Sequence, residues 1–430
     1  MEYQEWRSQI KPDKKARNYQ HIDSPLDLDN KKIFQKVTGA IENIKNHQFL
    51  PFIKRDKIVI RFRKNKNGDV QRSTKTRPIM YASHLDSHIY SYYNFIFQNK
   101  YESYLKKHGI DDVVIAYRKM EIEDTGKGKS NIHFASEVFE YVEKQDECVV
   151  ITHDIEGFFD NINHNLLKDK ICKISNAEQL DDSFYKVFKS LTKYRYIEHD
   201  EFKKQEKKIK KNKYAIYKAL KGIFKENKAN KGIPQGSPIS GLLANIYLVD
   251  FDHEIIKSFP NIFYRRYSDD LVFVCKESEK EAILKFVEEK IKKFLLDINS
   301  AKSFISYFKK GTDNNTFCHK VTDGLGKTLG RGYIDYLGLE FDGEKIFLRK
   351  NTIQKLKLKQ DKKTKRQIHN TQKQKRRKPK RIGRKITKNR NNYFKRTLEV
   401  VDNSGVKNQI LKVTKNRNRL KLKTTLTQQH

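Results

Sequence analysis

Residues 262–275 constrain the fold more than any other stretch of this chain. Ile262-Phe263-Tyr264 and Leu271-Val272-Phe273-Val274-Cys275 are two β-rich apolar runs, joined through the polar stretch Arg266-Tyr267-Ser268-Asp269-Asp270. That pattern predicts a β-hairpin with both carboxylates at its tip. Two adjacent acids at a tip repel each other unless a cation lies between them. A hard divalent cation such as Mg²⁺ removes that cost, because it takes carboxylate oxygens and is held by one or two of them together with substrate phosphates. A solvated turn is the bland alternative. The same dipeptide recurs at Asp111-Asp112 and Asp181-Asp182, but only this copy lies between two apolar strands.

The charge balance narrows the partner class. The 430 residues carry 91 Lys and Arg against 53 Asp and Glu, a formal charge of +38. An excess of that size predicts an extended polyanion, since basic side chains gain affinity by releasing counterions from phosphates. With 37% hydrophobic and 11% aromatic residues the chain has enough apolar content to fold, and its length predicts two or three lobes. Cys148, Cys172, Cys275 and Cys318 are scattered without a Cys-x-x-Cys pair, so neither a zinc knuckle nor a disulfide framework is expected. No apolar run approaches the roughly 18 residues of a membrane span, and residues 1–15 lack a signal-peptide core. A cytoplasmic protein without a membrane partner is therefore expected.

Taken in order, Ile33, Val37, Ile41 and Ile44 predict one amphipathic helix within 26–50. Phe52-Ile53 and Ile58–Phe62 read as strands, and Asn67-Gly68-Asp69 as a turn into a basic return strand that includes Arg77. Leu85, Ile89, Tyr92 and Ile96 recur at helical spacing over 84–107, with Gly109 as the stop, and the tyrosines there read as core. Gly126-Lys127-Gly128-Lys129-Ser130 invites comparison with a phosphate-binding P-loop, but Glu123 stands where that motif requires Gly. Ser130 instead caps a helix with the face Ile132, Ala135, Phe139 and Val142.

Cys148–Thr152 is a buried-strand pattern running into His153-Asp154, where the acid is either a helix cap or a ligand at a sheet edge. Residues 176–230 form a charged insertion with a lysine-rich core at 203–213, read as a solvated helix. In Lys231-Gly232-Ile233-Pro234-Gln235-Gly236-Ser237-Pro238, Gly and Pro bracket Gln235 so that its amide and the backbone can approach something flat. Residues 282–296 read as a helix and Phe304–Phe308 as a strand. Tyr333–Phe341 and Lys345–Leu348 read as a last hairpin about Asp342-Gly343, and beyond Arg349 the composition is strongly basic.

The order of these pieces resembles the palm of reverse transcriptases over residues 70–350: strand-Asp154, the Gly/Pro-rich Gln235 loop, the Asp269-Asp270 hairpin, Lys302, then Tyr336-Leu337-Gly338. The resemblance implies an α+β right-hand polymerase, with an antiparallel RRM-like palm sheet and a mostly helical basic thumb. It divides the chain into an amino-terminal extension (1–70), fingers and palm (71–348, with the insertion 176–230) and a thumb (349–430). Asp154 and Asp269 are then ligands of two Mg²⁺ ions, Mn²⁺ being a substitute, with Asp270 secondary. Two metals about 3.5–4 Å apart would activate a primer hydroxyl and stabilise the leaving pyrophosphate, which requires carboxylates converging from separate strands.

By motif position Phe159 matches the bulky residue under the sugar that excludes a 2′-hydroxyl. Gln235 and Gly236 match the loop touching nucleotide and template, and Arg118 and Lys302 match basic residues near the phosphates. Tyr336, Leu337 and Gly338 match the primer grip. Arg77 and the tail residues Arg376, Arg377 and Arg381 are expected on template or primer backbone. Ser268 stands where small or apolar residues are commoner. Ile115–Lys119 followed by Gly128-Lys129-Ser130-Asn131-Ile132 looks like the defence-associated (antiphage) reverse transcriptases of bacteria, relatives of retron and abortive-infection enzymes. That resemblance implies deoxynucleoside triphosphates as substrates, a noncoding RNA as template and DNA as product. It fixes no oligomeric state. A group II intron- or retron-type enzyme in another role, an RNA-dependent RNA polymerase, and a catalytically silent RNA-binding protein are the alternatives; Phe159 argues against the RNA polymerase, and the full set of acids against the silent protein.

Overall fold

The computed structural model describes residues 2–10, 19–64, 70–122, 125–209 and 213–375. Apolar alternation and turn chemistry produce three sheets. Strands β1 (Phe52–Lys64) and β2 (Val70–Tyr81) form the expected basic hairpin, with β1 as one unbroken strand; its turn residues lie outside the described residues. β3 (Glu147–Asp154) is nearly continuous in apolar residues because it is buried on both faces. β4 (Arg195–Glu198) and β5 (Lys225–Glu226) follow, then the acidic hairpin β6 (Phe263–Tyr267) and β7 (Asp270–Cys275). β8 (Phe304–Lys310), β9 (Thr316–Asp323) and β10 (Thr328–Gly330) complete the second sheet; β9 and β10 had no sequence expectation. The third is β11 (Ile334–Tyr336), β12 (Leu339–Phe341) and β13 (Ile346–Leu348).

The central sheet has the order β10-β9-β8-β3-β7-β6 with every neighbour antiparallel, which gives the expected α+β palm-like sheet. One face packs into the main core, to which the helices His84–Lys107, Ser240–Tyr247, Val249–Ser258 and Glu277–Lys293 contribute. Tyr90, Tyr92, Tyr93 and Tyr101 are buried there, as their helical spacing implied. The other face meets the helix Asn131–Glu143 and the sheet β11-β12-β13 through Val150, Val272, Val274, Phe139 and Phe341. Ser130 and His133 close a reciprocal cap at the start of that helix.

Three expectations change. Tyr333–Phe341 is not one strand: it folds back at Leu337-Gly338, where φ is 47° and 93°, so β11 pairs with β12 before β12 pairs with β13. Two consecutive left-handed residues match the twist of a two-residue hairpin. The segment 1–70 packs into the body of the fold: Trp6, Phe34, Val37 and Ile41 enter the main core, and the boundary after residue 70 cuts β2, whose first residue Val70 pairs with Lys64. The insertion 176–230 is not merely solvated. β4 pairs parallel with β1, and Phe202, Ile216 and Leu220 form a small core with Ile53 and Ile197, since an amphipathic face must be covered to leave water. The basic region starts with the helix Lys350–Lys375; Arg376, Arg377 and Arg381 lie outside the described residues. Among the described residues no helix is long and apolar enough to cross a membrane.

Candidate active site

β3 and β7 run antiparallel in a register that sets Asp154 directly opposite Asp270. Asp269 occupies the two-residue turn between Tyr267 and Asp270, and its carbonyl accepts a hydrogen bond from Ile155 N at 2.9 Å. Three carboxylates from two strands thus share one end of the sheet. Burial raises the Asp269 carboxyl above the ordinary carboxylate range, and the charge of Asp154 adds to the rise. Asp270 is pushed up to about 7, first by burial and then by Asp269 and Asp154. Like charges removed from water hold protons, so the cluster is an anionic site short of cations. Lys302, from the turn before β8, supplies one by forming an ion pair with Asp154.

The donor set fits a hard divalent ion: oxygen ligands only, mutually repelling, with an ammonium already drawn to one of them. Among the described residues no three His, Cys, Asp or Glu side chains form a ready-made metal cage. Ligation by one or two carboxylates with the remainder from substrate phosphates and water is the mode Mg²⁺ favours.

What holds the hairpin is a residue that the sequence reading passed over. Arg266 has a fully buried side chain, and its Nε donates to Asp252 at 2.8 and 3.1 Å and its Nη2 at 2.6 Å. It also donates to Asn245 Oδ1 (3.2 Å) and to the Ser268 carbonyl in the turn (3.3 Å), and the Tyr264 hydroxyl donates to Asp252 at 2.8 Å. The available signal was the alternation Tyr264, Arg266, Ser268, which puts all three on the buried side of β6. Ser268 takes φ 60°, a left-handed conformation uncommon outside glycine.

The Gln235 loop docks on the segment that follows Asp154 and on β2. Ile233 N donates to the Phe159 carbonyl (3.0 Å), the His164 ring nitrogen Nε2 bonds the Gly232 carbonyl (2.8 Å), and Gln235 Nε2 reaches Asp160 Oδ1 at 3.4 Å. The Gln235 carbonyl accepts from Met80 N at 2.7 Å, tying the loop to β2. Gly236 has φ 109°, and a Cβ there would lie 3.0 Å from the Met80 carbonyl, so this approach requires glycine. Phe158 is buried in the main core, and Phe159 is half-buried and packs against that core.

Of the remaining expected residues, Arg77 is exposed on β2, opposite Lys57. Leu337 and Gly338 form the β11–β12 turn. Arg118 and Tyr336 need correction. Arg118 does not point into open space for phosphate: its Nε donates to both Glu102 oxygens (2.9 and 3.1 Å), and its Nη1 donates to the Asp111 and Val114 carbonyls. Its side chain is 5% exposed, because a guanidinium that meets a carboxylate and two carbonyls is satisfied without a ligand. Tyr336 is buried under the turn in the core on the outer face of the sheet, with Leu337 packed against the same core.

Residues 64–341, well over half of the chain, match the family described as reverse transcriptase (RNA-dependent DNA polymerase). No curated protein sequence matches. Among solved structures, apo telomerase from Candida tropicalis truncated from its C-terminal domain is similar at 11% identity and TM-score 0.42, over 74% of this chain and 60% of that one. Apo telomerase from Candida tropicalis in a second structure gives 11% identity and TM-score 0.36, over 77% and 56%. Telomerase from Candida albicans in complex with a TWJ fragment of telomeric RNA gives 10% and 0.36, over 74% and 51%. This chain thus spans about half to three fifths of those telomerase chains. The matched stretch contains the paired acids, the Gln235 loop, Lys302 and all of β2, and the chain belongs to the reverse transcriptase (RNA-dependent DNA polymerase) family.

Proposed function

We propose that this protein synthesises DNA on an RNA template from deoxynucleoside triphosphates, with Asp154, Asp269 and Asp270 as the carboxylates that hold two Mg²⁺ ions. The observation that carries the reading is the register of Asp154 opposite Asp270 with Asp269 beside them. When bound, Mg²⁺ (or Mn²⁺ in its place) would polarise the attacking hydroxyl and the triphosphate and neutralise the charge developing on the leaving pyrophosphate. The chain's own residues do the rest. Lys302, paired with Asp154, is the cation that can turn to a triphosphate oxygen when ions take over the carboxylates. Phe159 sets the floor under the sugar, while Gln235 and Gly236 offer an amide and a bare backbone edge to the nucleotide. Leu337-Gly338 and the exposed Arg77 are the proposed contacts for primer and template backbone. The charge of +38 supports a nucleic-acid duplex as the bound product.

The similarity of Ile115–Lys119 and Gly128–Ile132 to defence-associated bacterial enzymes supports a finer reading: a noncoding RNA as template, and a role in antiphage defence. Four free buried cysteines fit a cytoplasmic, reducing setting. The test is Mg²⁺-dependent deoxynucleotide incorporation on an RNA template by the wild type and by Asp154→Asn and Asp269→Asn. Incorporation should vanish in both variants with the fold retained, because losing one ligand misplaces the ions. Full activity in either variant rules the assignment out. Sequencing the nucleic acid that copurifies with the protein decides whether its template is a noncoding RNA.

A further inference from the structure

Tyr117 is an anomaly that the site described so far does not use. Its backbone has φ 59°, a left-handed conformation that costs a bulky residue energy, and the residue is 53% exposed. Both neighbours are fixed. The Ala116 carbonyl accepts from Asn245 Nδ2 at 2.7 Å, and Arg118 is locked to Glu102. Both attachments hold a strained tyrosine in place at the surface.

The ring lies on Gly241, the second residue of the helix that follows the Gln235 loop. A Cβ at Gly241 would stand 2.6–3.0 Å from ring carbons of Tyr117, closer than atoms can pack, so the absence of a side chain there makes room for the ring. Phe159 meets the same ring edge-on, with centroids 6.4 Å apart and planes at 89°. The segment just before Tyr117 runs along β6, where Ile115 N donates to the Arg266 carbonyl at 3.0 Å and Arg266 N to the Val113 carbonyl at 2.8 Å, which brings Tyr117 to the end of the hairpin that carries the acids. A costly conformation that only exposes an aromatic face, beside a cluster built to react, points to a ligand for that face.

We infer that the Tyr117 ring, seated on Gly241 and set at a right angle to Phe159, is the second wall of the nucleotide pocket, packing against the sugar of the incoming deoxynucleotide. This rests on the polymerase reading above. Two rings at a right angle form a corner, and a deoxyribose presents apolar C–H faces on adjacent sides that such a corner covers. Aromatic contact with a nucleotide adds affinity without chemistry, so the signature is a change in KM and not in kcat.

The experiment is steady-state incorporation of dTTP on poly(rA) primed with oligo(dT), with full-length wild type, Tyr117→Phe, Tyr117→Gly and Gly241→Ala. Tyr117→Gly should raise the KM for dTTP about tenfold with kcat within about threefold, a change in the range of one aromatic contact. Its thermal midpoint should not fall, since glycine accepts φ 59° without strain. Tyr117→Phe should keep the wild-type KM, and Gly241→Ala should reproduce the KM rise by displacing the ring. Should Tyr117→Gly lose its fold, the KM of Gly241→Ala decides. A KM within twofold of wild type in the folded Tyr117→Gly protein, or a loss confined to kcat, overturns the inference and leaves the polymerase reading standing. Wild-type protein that incorporates no dTTP while folded overturns both.

Discussion

The buried pair of Arg266 and Asp252 carries a sharp energetic prediction. Both side chains are fully buried, and three hydrogen bonds between them hold the guanidinium charge. Asp252→Asn is nearly isosteric but removes the countercharge, leaving a cation in the core with partial hydrogen bonding. Breaking a buried pair from one side typically costs about 3–5 kcal/mol. The Tyr264 hydroxyl, which donates to Asp252 at 2.8 Å, keeps an acceptor in this variant, so its loss does not add. Against a usual stability of about 5–15 kcal/mol, that is a large fraction of the total. Urea denaturation followed by tryptophan fluorescence reads it through Trp6, the only tryptophan, which is buried in the same main core. Activity should fall too, because Arg266 also holds the Ser268 carbonyl in the turn that carries Asp269. The double variant Asp252→Leu with Arg266→Met tests the cause. An apolar pair of similar volume removes the uncompensated charge but leaves the Tyr264 hydroxyl and the Asn245 side chain without partners, so part of the urea resistance should return while incorporation does not. A cost below about 1 kcal/mol for Asp252→Asn, or a double variant no more stable than the single one, refutes the reasoning.

Phe159→Val should admit ribonucleotides more readily, because a smaller side chain leaves room for a 2′-hydroxyl; equal loss of both nucleotide classes would assign Phe159 to the core instead. Asp270, raised to about 7 by burial and its acidic neighbours, gives a pH dependence with a definite sign. Between its ordinary value near 4 and about 7 the metal-free folded state holds a proton that the unfolded chain has released. Metal-free stability therefore falls as pH rises through that window, by up to a few kcal/mol, and Mg²⁺ should reverse the loss above pH 7. Thermal melts with EDTA and with Mg²⁺ from pH 5 to 8 check this; a metal-free midpoint that rises across the window contradicts it. Neutralising Arg376, Arg377, Lys380, Arg381, Arg384 and Lys385 together should shorten products and flatten the salt dependence of duplex binding while single-nucleotide addition persists. Unchanged product length and salt slope would show that this basic stretch does not hold the duplex.

Much of the site is legible in the sequence because it is locally encoded. Two β-rich apolar runs joined by a short polar stretch specify the hairpin β6–β7 wherever it lies, so the position of Asp269 at a turn follows from residues 262–275 alone. Spacing likewise marked the helix His84–Lys107, and the serine preceding 131 marked a helix start. The family's order of motifs then indicated which acids would meet. What no local pattern carries is the register between elements far apart in the chain. Asp154 faces Asp270 across 115 intervening residues because β3, buried on both faces, finds its place between β7 and β8 only when the whole core closes. The same holds for cations. Arg118, Arg266 and Lys302 look equivalent in sequence, yet the fold commits the first to Glu102, buries the second on Asp252 and brings only the third to the acids. Which partner a charged side chain takes depends on how much water the surrounding packing removes from it. Desolvation is a property of the assembled structure: the sequence specified the strands, the turns and the supply of charges, and tertiary packing decided which charges meet.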